Sequence, residues 1–258
     1  MLQLTKLTAT NTTSRTAAIR FNIYTVPLSA MLESSSTVIG GYLNQPSRSI
    51  VPSLVSILDS SKSAMLTSIE LRWFYRGTLP PEIQDWFDSQ ALLEPPEAPE
   101  QREDFYLLLP ECETLGIKLR QERLEIKWRK AELGVLRFGD NAEGKAEKWV
   151  KWICEDNTVE SLVKVDVESK ANWVGVLKVR SLRKYPNCNV EITRLTIEGN
   201  SWWSFAFEAY GEEANLMDNL QSAANIVFQT YSGSNFQLQD SYAYPKWLAL
   251  AILNTGTN

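Results

Sequence analysis

Basic and apolar residues alternate through the stretch KLRQERLEIKWRK, which spans residues 118–130. Successive side chains of a β-strand point to opposite faces, so Lys118 and Arg120 share one face while Ile117 and Leu119 share the other. The stretch 123–130 repeats this arrangement with two rows of side chains: Glu125, Lys127 and Arg129 against Leu124, Ile126 and Trp128. The pattern predicts two strands, each with a charged face and an apolar face.

Further segments of strand character follow along the chain from residue 68 onward. Each one alternates in polarity or is rich in β-branched and aromatic residues. We predict eight strands: 68–75, 104–110, 116–122, 123–130, 147–154, 173–185, 189–199 and 202–211. The spacing of apolar residues predicts helices over 80–90 and 212–231, and the Pro/Glu-rich stretch 94–100 is predicted to be a linker. Strands at short intervals with few helices between them indicate a mainly β (α+β) antiparallel barrel or sandwich.

The charges of these strands are segregated by strand. For one strand alone, a charged face in water and an apolar face in the core is the ordinary explanation. Here the middle strands are nearly all basic, whereas carboxylates concentrate on the first and last strands. Two like charges about 6 Å apart repel by roughly 3 kcal/mol at an effective dielectric constant near 20, so stacked basic rows need anions among them. An eight-stranded antiparallel barrel with a charged lumen brings the basic rows and the carboxylates together inside it. A few flanking helices would cover part of its apolar exterior.

The composition narrows the chemistry. The chain has 258 residues, a net charge of −5 and no histidine. The negative charge argues against general nucleic-acid binding, so an anion site would be local and enclosed. Without histidine, Ser-His and Cys-His catalysis are excluded, and any metal would be a hard cation on carboxylates, Mg²⁺ or Mn²⁺. The sequence has no apolar run long enough for a membrane span, and its three cysteines without metal-ligand spacing indicate a cytoplasmic protein.

The first 64 residues differ from the rest of the chain in composition. They hold 20 Ser or Thr, two acidic and five basic residues, whereas all nine tryptophans lie between Trp73 and Trp247. We expect 1–64 to be either a disordered extension or a misassigned start upstream of Met65, and organelle targeting is a third interpretation. The folded β-tunnel domain is predicted to span 65–258.

Taken in order, the strand motifs resemble the triphosphate tunnel metalloenzyme (CYTH-like) superfamily, which folds as a tunnel of eight antiparallel strands. SIELR (68–72) is similar to the family's opening E-x-E-x-K strand, with Ser68 at the first Glu position, Glu70 at the second and Arg72 at the Lys position. Four further segments resemble its basic strands, its K-x-R-x-x-x-Y strand and its S-Y-x-x-L element: KLR (118–120), EIKWR (125–129), KVRSLRKY (178–185) and SYAYPKWL (241–248). The segments 191–199 and 202–211 look like the closing strands.

The resemblance implies a site for a triphosphate or another phosphate-rich small molecule. It implies that the phosphate oxygens are bound by eight basic residues: Arg72, Lys118, Arg120, Lys127, Arg129, Lys178, Arg180 and Arg183. It also implies that Glu70, Glu191 and Glu208 hold one or two Mg²⁺ or Mn²⁺ ions, with Glu191 as the proton acceptor in hydrolysis. Ser68 in place of the first motif carboxylate removes one direct metal ligand.

Three functions remain open from the sequence. The first is a metal-dependent phosphohydrolase acting on a triphosphate or polyphosphate. The second is a module that binds such an anion without turnover, which the Ser68 substitution favours. The third is an interaction protein that docks a partner through aromatic residues such as Trp149 and Trp152, which lie on opposite faces of one predicted strand.

Overall fold

The computed structural model describes residues 65–121, 123–154 and 172–253. Most of them belong to eight strands: β1 (Leu66–Arg76), β2 (Glu100–Leu107), β3 (Leu115–Arg120), β4 (Arg123–Phe138), β5 (Ala142–Cys154), β6 (Trp173–Tyr185), β7 (Cys188–Ile197) and β8 (Asn200–Ala209). Three α-helices accompany the strands in this part of the chain: α1 (Pro81–Asp88), α2 (Leu216–Gln229) and α3 (Tyr244–Leu253). The predicted N-terminal extension, 1–64, lies outside the described residues.

The strands form one closed antiparallel barrel. They pair in the order β1-β5-β4-β3-β2-β6-β7-β8, and β8 pairs with β1 to complete the ring. Side chains of directly paired residues point to the same side of the wall, so Glu70 shares the inner face with Glu147 on β5 and Glu208 on β8. The predicted mainly β fold with eight antiparallel strands is confirmed.

Helices α1 and α2 cover the outer face of β1, β7 and β8. The outward side chains of these strands, such as Leu71, Ile192 and Phe205, are buried in one apolar cluster with Phe87 of α1 and Leu220 of α2. Residues one position away along the same strands are charged and point to the lumen, because successive side chains alternate. This wall therefore has its charge inside and its apolar side chains outside, as the segregated charges predicted.

Helix α3 lies at the end of the barrel where β1 ends. Its Trp247 and Leu248 share a buried cluster with apolar side chains from the strand ends, among them Phe74, Val176 and Trp202. The rings of Phe74 and Trp247 stack with their centroids 5.1 Å apart. The lumen is therefore apolar at this end and charged in its middle.

Four elements differ from the prediction. β2 begins at Glu100, inside the predicted linker. β4 continues to Phe138 and β5 begins at Ala142, so both strands of this hairpin are longer than predicted, and residues 139–141 form the turn between them. The glycines at 134, 139 and 144 weaken the strand signal of this long hairpin. α3 was not predicted as a helix, because its sequence YPKWLALAIL is apolar around most of its circumference and lacks a polar stripe. None of the helices within the described ranges is long and apolar enough to cross a membrane.

Candidate anion-binding site

The lumen contains a cavity of about 120 Å³ with a mostly charged wall. Eight cationic side chains line it: Arg72, Arg102, Lys118, Arg120, Lys127, Lys151, Lys178 and Arg180. Four acidic side chains lie among them: Glu70, Glu125, Glu191 and Glu208. Six of the eight basic residues predicted to bind phosphate therefore meet in one cavity. The cavity wall has an excess of cationic groups although the whole chain is acidic.

Asp104 on β2 is a fully buried anion with four cationic groups around it. Arg120 donates two parallel hydrogen bonds to it, from Nε to Oδ1 (3.0 Å) and from Nη2 to Oδ2 (2.9 Å). Lys178 Nζ lies 3.1 Å from Oδ2, Lys118 Nζ lies 3.9 Å from Oδ2, and Arg102 Nε lies 3.4 Å from Oδ1. Because β2 runs between β3 and β6, one carboxylate collects the cations of three strands.

Burial and neighbouring charges shift the pKa values of this cluster. Burial alone would raise the pKa of Asp104, but Lys178 and Arg120 lower it below its usual range, so Asp104 is ionised at neutral pH. Burial lowers the pKa of Lys118 and of Lys178 to about 7, and the positive charge of Arg120 adds to the effect. Both ammonium groups are therefore near their titration midpoint at neutral pH, and a bound anion would raise the pKa of both.

Glu191 on β7 is paired with two arginines. Arg72 Nη1 donates to Oε1 at 2.6 Å, and Arg180 Nη1 donates to Oε2 at 3.5 Å. Burial alone would raise the pKa of Glu191, but the two guanidinium groups lower it to about 2. Such a carboxylate is a weak base at neutral pH, so the predicted role of Glu191 as proton acceptor does not fit this geometry. Glu191 instead orients Arg72 and Arg180.

Glu70 and Glu208 are direct neighbours on the paired strands β1 and β8. The ammonium group of Lys127 lies between them, donating to Glu70 and standing 3.7 Å from Glu208. The Ser68 hydroxyl donates to Glu70 Oε1 at 3.1 Å. Among the described residues, no group of three or more acidic or cysteine side chains is placed to hold a metal ion. The predicted set of Glu70, Glu191 and Glu208 is not assembled, because Lys127 occupies the point between two of them and arginines hold the third.

Two buried polar atoms at the cavity, Arg180 Nε and Thr193 Oγ1, have no hydrogen-bond partner within the described part of the chain. A third, Arg102 Nε, makes no hydrogen bond there and has only the 3.4 Å ion pair with Asp104. Thr193 is 1% exposed, and it pairs directly with Arg180 across β6 and β7. Arg102 pairs with Lys178 on the other side of β6. A buried polar atom without a partner costs free energy, so these atoms on neighbouring strands favour an acceptor in the cavity.

Arg183 lies outside the lumen, contrary to its predicted role. It is three residues after Arg180 on β6 and therefore points to the opposite face. Its guanidinium donates to the backbone carbonyls of Phe87 (2.7 Å), Ser89 (2.8 Å) and Glu94. Arg183 therefore holds the segment after α1 against the barrel wall.

Arg129 lies beside the main cavity, although it points to the inner side of the wall. It pairs with Glu147 and lines a smaller second cavity of about 60 Å³, together with Glu132, Lys145 and Lys246. Ala243 lines both cavities. The segment before α3 therefore separates Arg129 from the other predicted phosphate-binding residues.

Several cavity residues were not found from the sequence. The linker was predicted to end at residue 100 and the strand to begin at residue 104. Arg102 was therefore not assigned to the strand, and the face that it shares with Asp104 was not recognised. Lys151 and Trp149 lie on a strand in which both faces carry lysine and tryptophan, and the pattern EKWVKWIC does not say which face is inside. In the structure Trp149 is 2% exposed and lines the cavity, so it does not form the predicted docking surface.

No protein-family model matches the chain, and no curated protein matches it. Solved structures similar to it include the Mimivirus capping enzyme triphosphatase, with 12% identity, 67% of this chain and 95% of that chain covered, and a TM-score of 0.42. Another is the S. pombe Pct1 RNA triphosphatase in complex with the Spt5 CTD, with 14% identity, 77% of this chain and 100% of that chain covered, and a TM-score of 0.38. A third is a conserved hypothetical protein from Pyrococcus furiosus, with 15% identity, 70% of this chain and 99% of that chain covered, and a TM-score of 0.39.

At these low identities and TM-scores, the similarities carry no conclusion about the activity of this chain. The geometry of the chain itself defines its class. It is a closed antiparallel barrel whose lumen is lined by cations and carboxylates in mutual contact.

Proposed function

We propose that this protein binds a phosphate-rich anion of the triphosphate class inside its barrel. The observation that carries the proposal is the convergence of eight cationic side chains on one cavity, at which the buried atoms Arg180 Nε and Thr193 Oγ1 have no hydrogen-bond partner among the described residues. A phosphate chain supplies several acceptor oxygens and compensating negative charge at once. Arginine in particular binds phosphate oxygens with geometrically matched hydrogen bonds.

Each part of the wall has a distinct task in this proposal. Arg102, Arg180 and Thr193 donate to the anion from strands β2, β6 and β7. Lys118 and Lys178, whose pKa values lie at about 7, become fully protonated when the anion enters. Asp104 and Glu191 stay ionised and hold the cationic groups in place before the ligand arrives, which reduces the ordering that binding requires.

The triphosphate class rests on the sequence motifs in their strand order. The stretches SIELR, KLR, EIKWR and KVR resemble the phosphate-binding strands of the triphosphate tunnel metalloenzymes, and they lie on β1, β3, β4 and β6. Six of the eight basic residues that the resemblance implies line the cavity, and Arg129 and Arg183 do not. The ligand is therefore expected to contact Arg72, Lys118, Arg120, Lys127, Lys178 and Arg180.

Metal-dependent hydrolysis of the same anion is a second candidate, favoured by the adjacent carboxylates of Glu70 and Glu208. These two residues would hold a Mg²⁺ or Mn²⁺ ion if Lys127 moved from between them to the phosphate. A divalent cation held there would neutralise charge on the phosphate oxygens. Glu191 is left out of this site because its two arginine partners hold it. Two carboxylates are a sparse ligand set, so binding without turnover is the function that the geometry supports best.

Thermal unfolding with and without tripolyphosphate tests the binding proposal. At a ligand concentration about 100 times the Kd, the fold should gain about 2.7 kcal/mol, or about 5–10 °C in Tm for a domain of this size. Arg180→Gln should lose most of this shift. Arg137→Gln is the matched control, because Arg137 is exposed on the β4–β5 hairpin and pairs with Glu143 away from the cavity. An equal shift in both variants, or none in the parent, would contradict the proposal.

Phosphate release from tripolyphosphate, measured with Mg²⁺ or Mn²⁺, tests the second candidate. Turnover that is lost in Glu70→Gln and in Glu208→Gln would establish hydrolysis at this carboxylate pair. Binding without phosphate release under any of these conditions would leave the protein as a binding module.

A further inference from the structure

The outer face of the wall formed by β2, β3, β4 and β5 is apolar. Its side chains lie one position away from the lumen residues of the same strands, because side chains alternate along a strand. They are Phe105 on β2, Ile117 and Leu119 on β3, Leu124, Ile126 and Trp128 on β4, and Val150 and Trp152 on β5. We call this surface the β2–β5 outer face. An apolar sheet face has to be covered by another element.

The described helices do not cover the β2–β5 outer face. The apolar clusters that contain side chains of α1, α2 and α3 include none of its residues. Phe105 and Leu119 are nevertheless 7% and 3% exposed, and they form a small separate cluster with Trp173, the first residue of β6. Satellite clusters of this kind are typical of the surface beneath a long connecting segment. Most other side chains of the face are half-buried: Ile117, Leu124, Ile126, Trp128 and Trp152.

The connection from β5 to β6 has to pass along the outside of the barrel. β5 ends at the end of the barrel where β1 begins, because Lys151 pairs with Leu66. β5 and β6 run in the same direction, since three antiparallel strands separate them, so β6 begins at the opposite end. The lumen offers no passage, because an eight-stranded barrel is just wide enough for its own side chains. The 17 residues 155–171 make this connection.

The strand registers define a short route for the connection. One continuous row of directly paired residues joins β5 to β6: Cys154, Leu124, Leu119, Phe105 and Gly175. Neighbouring strands lie about 4.8 Å apart, so this row measures about 19 Å. Seventeen residues span up to about 60 Å when extended and about 26 Å as a helix, so they cover this distance in either form. The row runs across the β2–β5 outer face.

The route around the other side of the barrel is too long. The row of paired residues on that side is Lys148, Ile69, Ala209, Cys188 and Tyr185. Lys148 lies six residues before Cys154, and Tyr185 lies twelve residues after Trp173. This route therefore covers about 60 Å along the strands in addition to the four strand spacings. It exceeds the extended reach of 155–171, and α1 and α2 already occupy that face.

The sequence of 155–171 suits an apolar surface on one side and water on the other. The stretch reads EDNTVESLVKVDVESKA. It contains five large apolar residues: Val159, Leu162, Val163, Val165 and Val167. Charged residues are interspersed among them: Glu160, Lys164, Asp166 and Glu168. A segment that has to cross an apolar face thus carries apolar side chains with which to cover it.

We propose that residues 155–171 cross the outer face of β4, β3 and β2 and pack their apolar side chains on it. The crossing chain covers this wall as α1 and α2 cover the wall of β1, β7 and β8. Trp152 is then part of the packed fold, so the interaction function predicted from Trp149 and Trp152 loses its second aromatic residue as well. The proposal goes beyond anion binding and does not depend on it. It concerns the support of the strands that carry Lys118, Arg120 and Lys127.

Photo-crosslinking of the full-length protein identifies what covers the face. Benzoylphenylalanine replaces Ile126, whose half-buried side chain points outward from β4, and mass spectrometry locates the cross-linked peptides. We expect cross-links to 159–167 of the same chain. Benzoylphenylalanine in place of Arg137, which is exposed on the β4–β5 hairpin, is the control and should give none to that stretch. Cross-links from position 126 to 1–64 or to a second copy, or none to 155–171, overturn the proposal.

Two serine variants of the same segment give an independent test. The first replaces the five apolar residues, and the matched control replaces Glu160, Lys164, Asp166 and Glu168. If the apolar side chains pack on the barrel, the first variant should lower the Tm by about 10 °C or more and the control by about 3 °C at most. A first variant that does not fold, beside a folded control, supports the proposal in the same way. Equal changes of Tm in the two variants contradict it, whether or not the lumen binds tripolyphosphate.

Discussion

Arg120 donates two parallel hydrogen bonds to the fully buried carboxylate of Asp104, one from Nε at 3.0 Å and one from Nη2 at 2.9 Å. The pair joins β3 to β2 inside the barrel, and Lys178 approaches the same carboxylate from β6. Arg120 and Asp104 thereby fix the relative positions of three strands that carry most of the cationic wall. The site depends on this buried anion, because the cations around it would otherwise repel one another.

Asp104→Asn should destabilise the fold by about 3–5 kcal/mol, since it leaves Arg120 and Lys178 buried without a counter-charge. Urea unfolding of the variant and the parent measures the difference. Saturating tripolyphosphate should narrow the gap, because the ligand supplies the missing negative charge. A loss below about 1 kcal/mol would mean that Asp104 does not organise the wall.

Thr193→Val should act in opposite directions on folding and on binding. The buried hydroxyl has no hydrogen-bond partner among the described residues, so replacing it with a methyl group should leave stability unchanged or slightly raised. If the hydroxyl donates to the anion, tripolyphosphate affinity should fall about tenfold to a hundredfold. Calorimetric titration, together with thermal unfolding of the ligand-free variant, tests both parts. Unchanged affinity would place the anion away from Thr193.

Anion binding should weaken as the pH rises above about 7, because Lys118 and Lys178 have pKa values near 7 in the ligand-free barrel. Above that pH both groups must take up a proton to face the anion, so Kd should rise by about tenfold to a hundredfold per pH unit. Titration calorimetry in buffers of different ionisation enthalpy counts the protons. Lys178→Met should reduce the proton uptake, and Lys184→Met, an exposed residue of the same strand, should not.

The stability of the ligand-free protein should change with pH in the opposite direction. The folded-state pKa of the two lysines lies below their unfolded value of 10.5, so between about 7 and that value the unfolded chain holds more protons. Their contribution to stability therefore rises with pH through this window. If stability and affinity both fell from pH 7 to about pH 9, the titration of these lysines would not be the cause.

Arg180 and Arg183, three residues apart on β6, should give opposite phenotypes. Arg183→Met should cost on the order of 3 kcal/mol, because three backbone carbonyls lose a charged donor, and tripolyphosphate affinity should stay close to that of the parent. Arg180→Gln should lose affinity with a smaller loss of stability. The two variants are compared by urea unfolding and by titration with tripolyphosphate. Loss of affinity in Arg183→Met without a loss of stability would restore its predicted role.

The inner face of the barrel could largely be predicted from the sequence. On β1, β3, β4 and β6 the alternation of charge is regular, so six of the eight implied basic residues were placed in the lumen. The K-x-R spacing of Lys178 and Arg180 repeats every second residue, as a strand requires. Arg183 lies three residues after Arg180, so the alternation places it on the opposite face. It was predicted to bind phosphate because of the K-x-R-x-x-x-Y motif, and the alternation did not support that prediction.

What could not be predicted depends on contacts between distant residues. Asp104 and Arg102 lie on a strand whose start is set by pairing with β6, which a Pro/Glu-rich sequence does not reveal. The ion pairs that hold Glu191 and Glu70 join strands far apart in sequence, so whether these carboxylates bind metal or neutralise cations follows from the packing. Helix α3 packs into the end of the barrel with apolar side chains on most of its sides. Its sequence therefore lacks the alternation of apolar and polar residues from which a helix is predicted.

A crystal structure of the protein with tripolyphosphate tests the central claim most directly, because it locates the anion relative to the wall. The account predicts phosphate oxygens inside the lumen, within hydrogen-bond distance of Arg102 Nε, Arg180 Nε and Thr193 Oγ1. An anion bound on the outer surface, or an anion-free lumen in crystals grown at a saturating concentration, would contradict it.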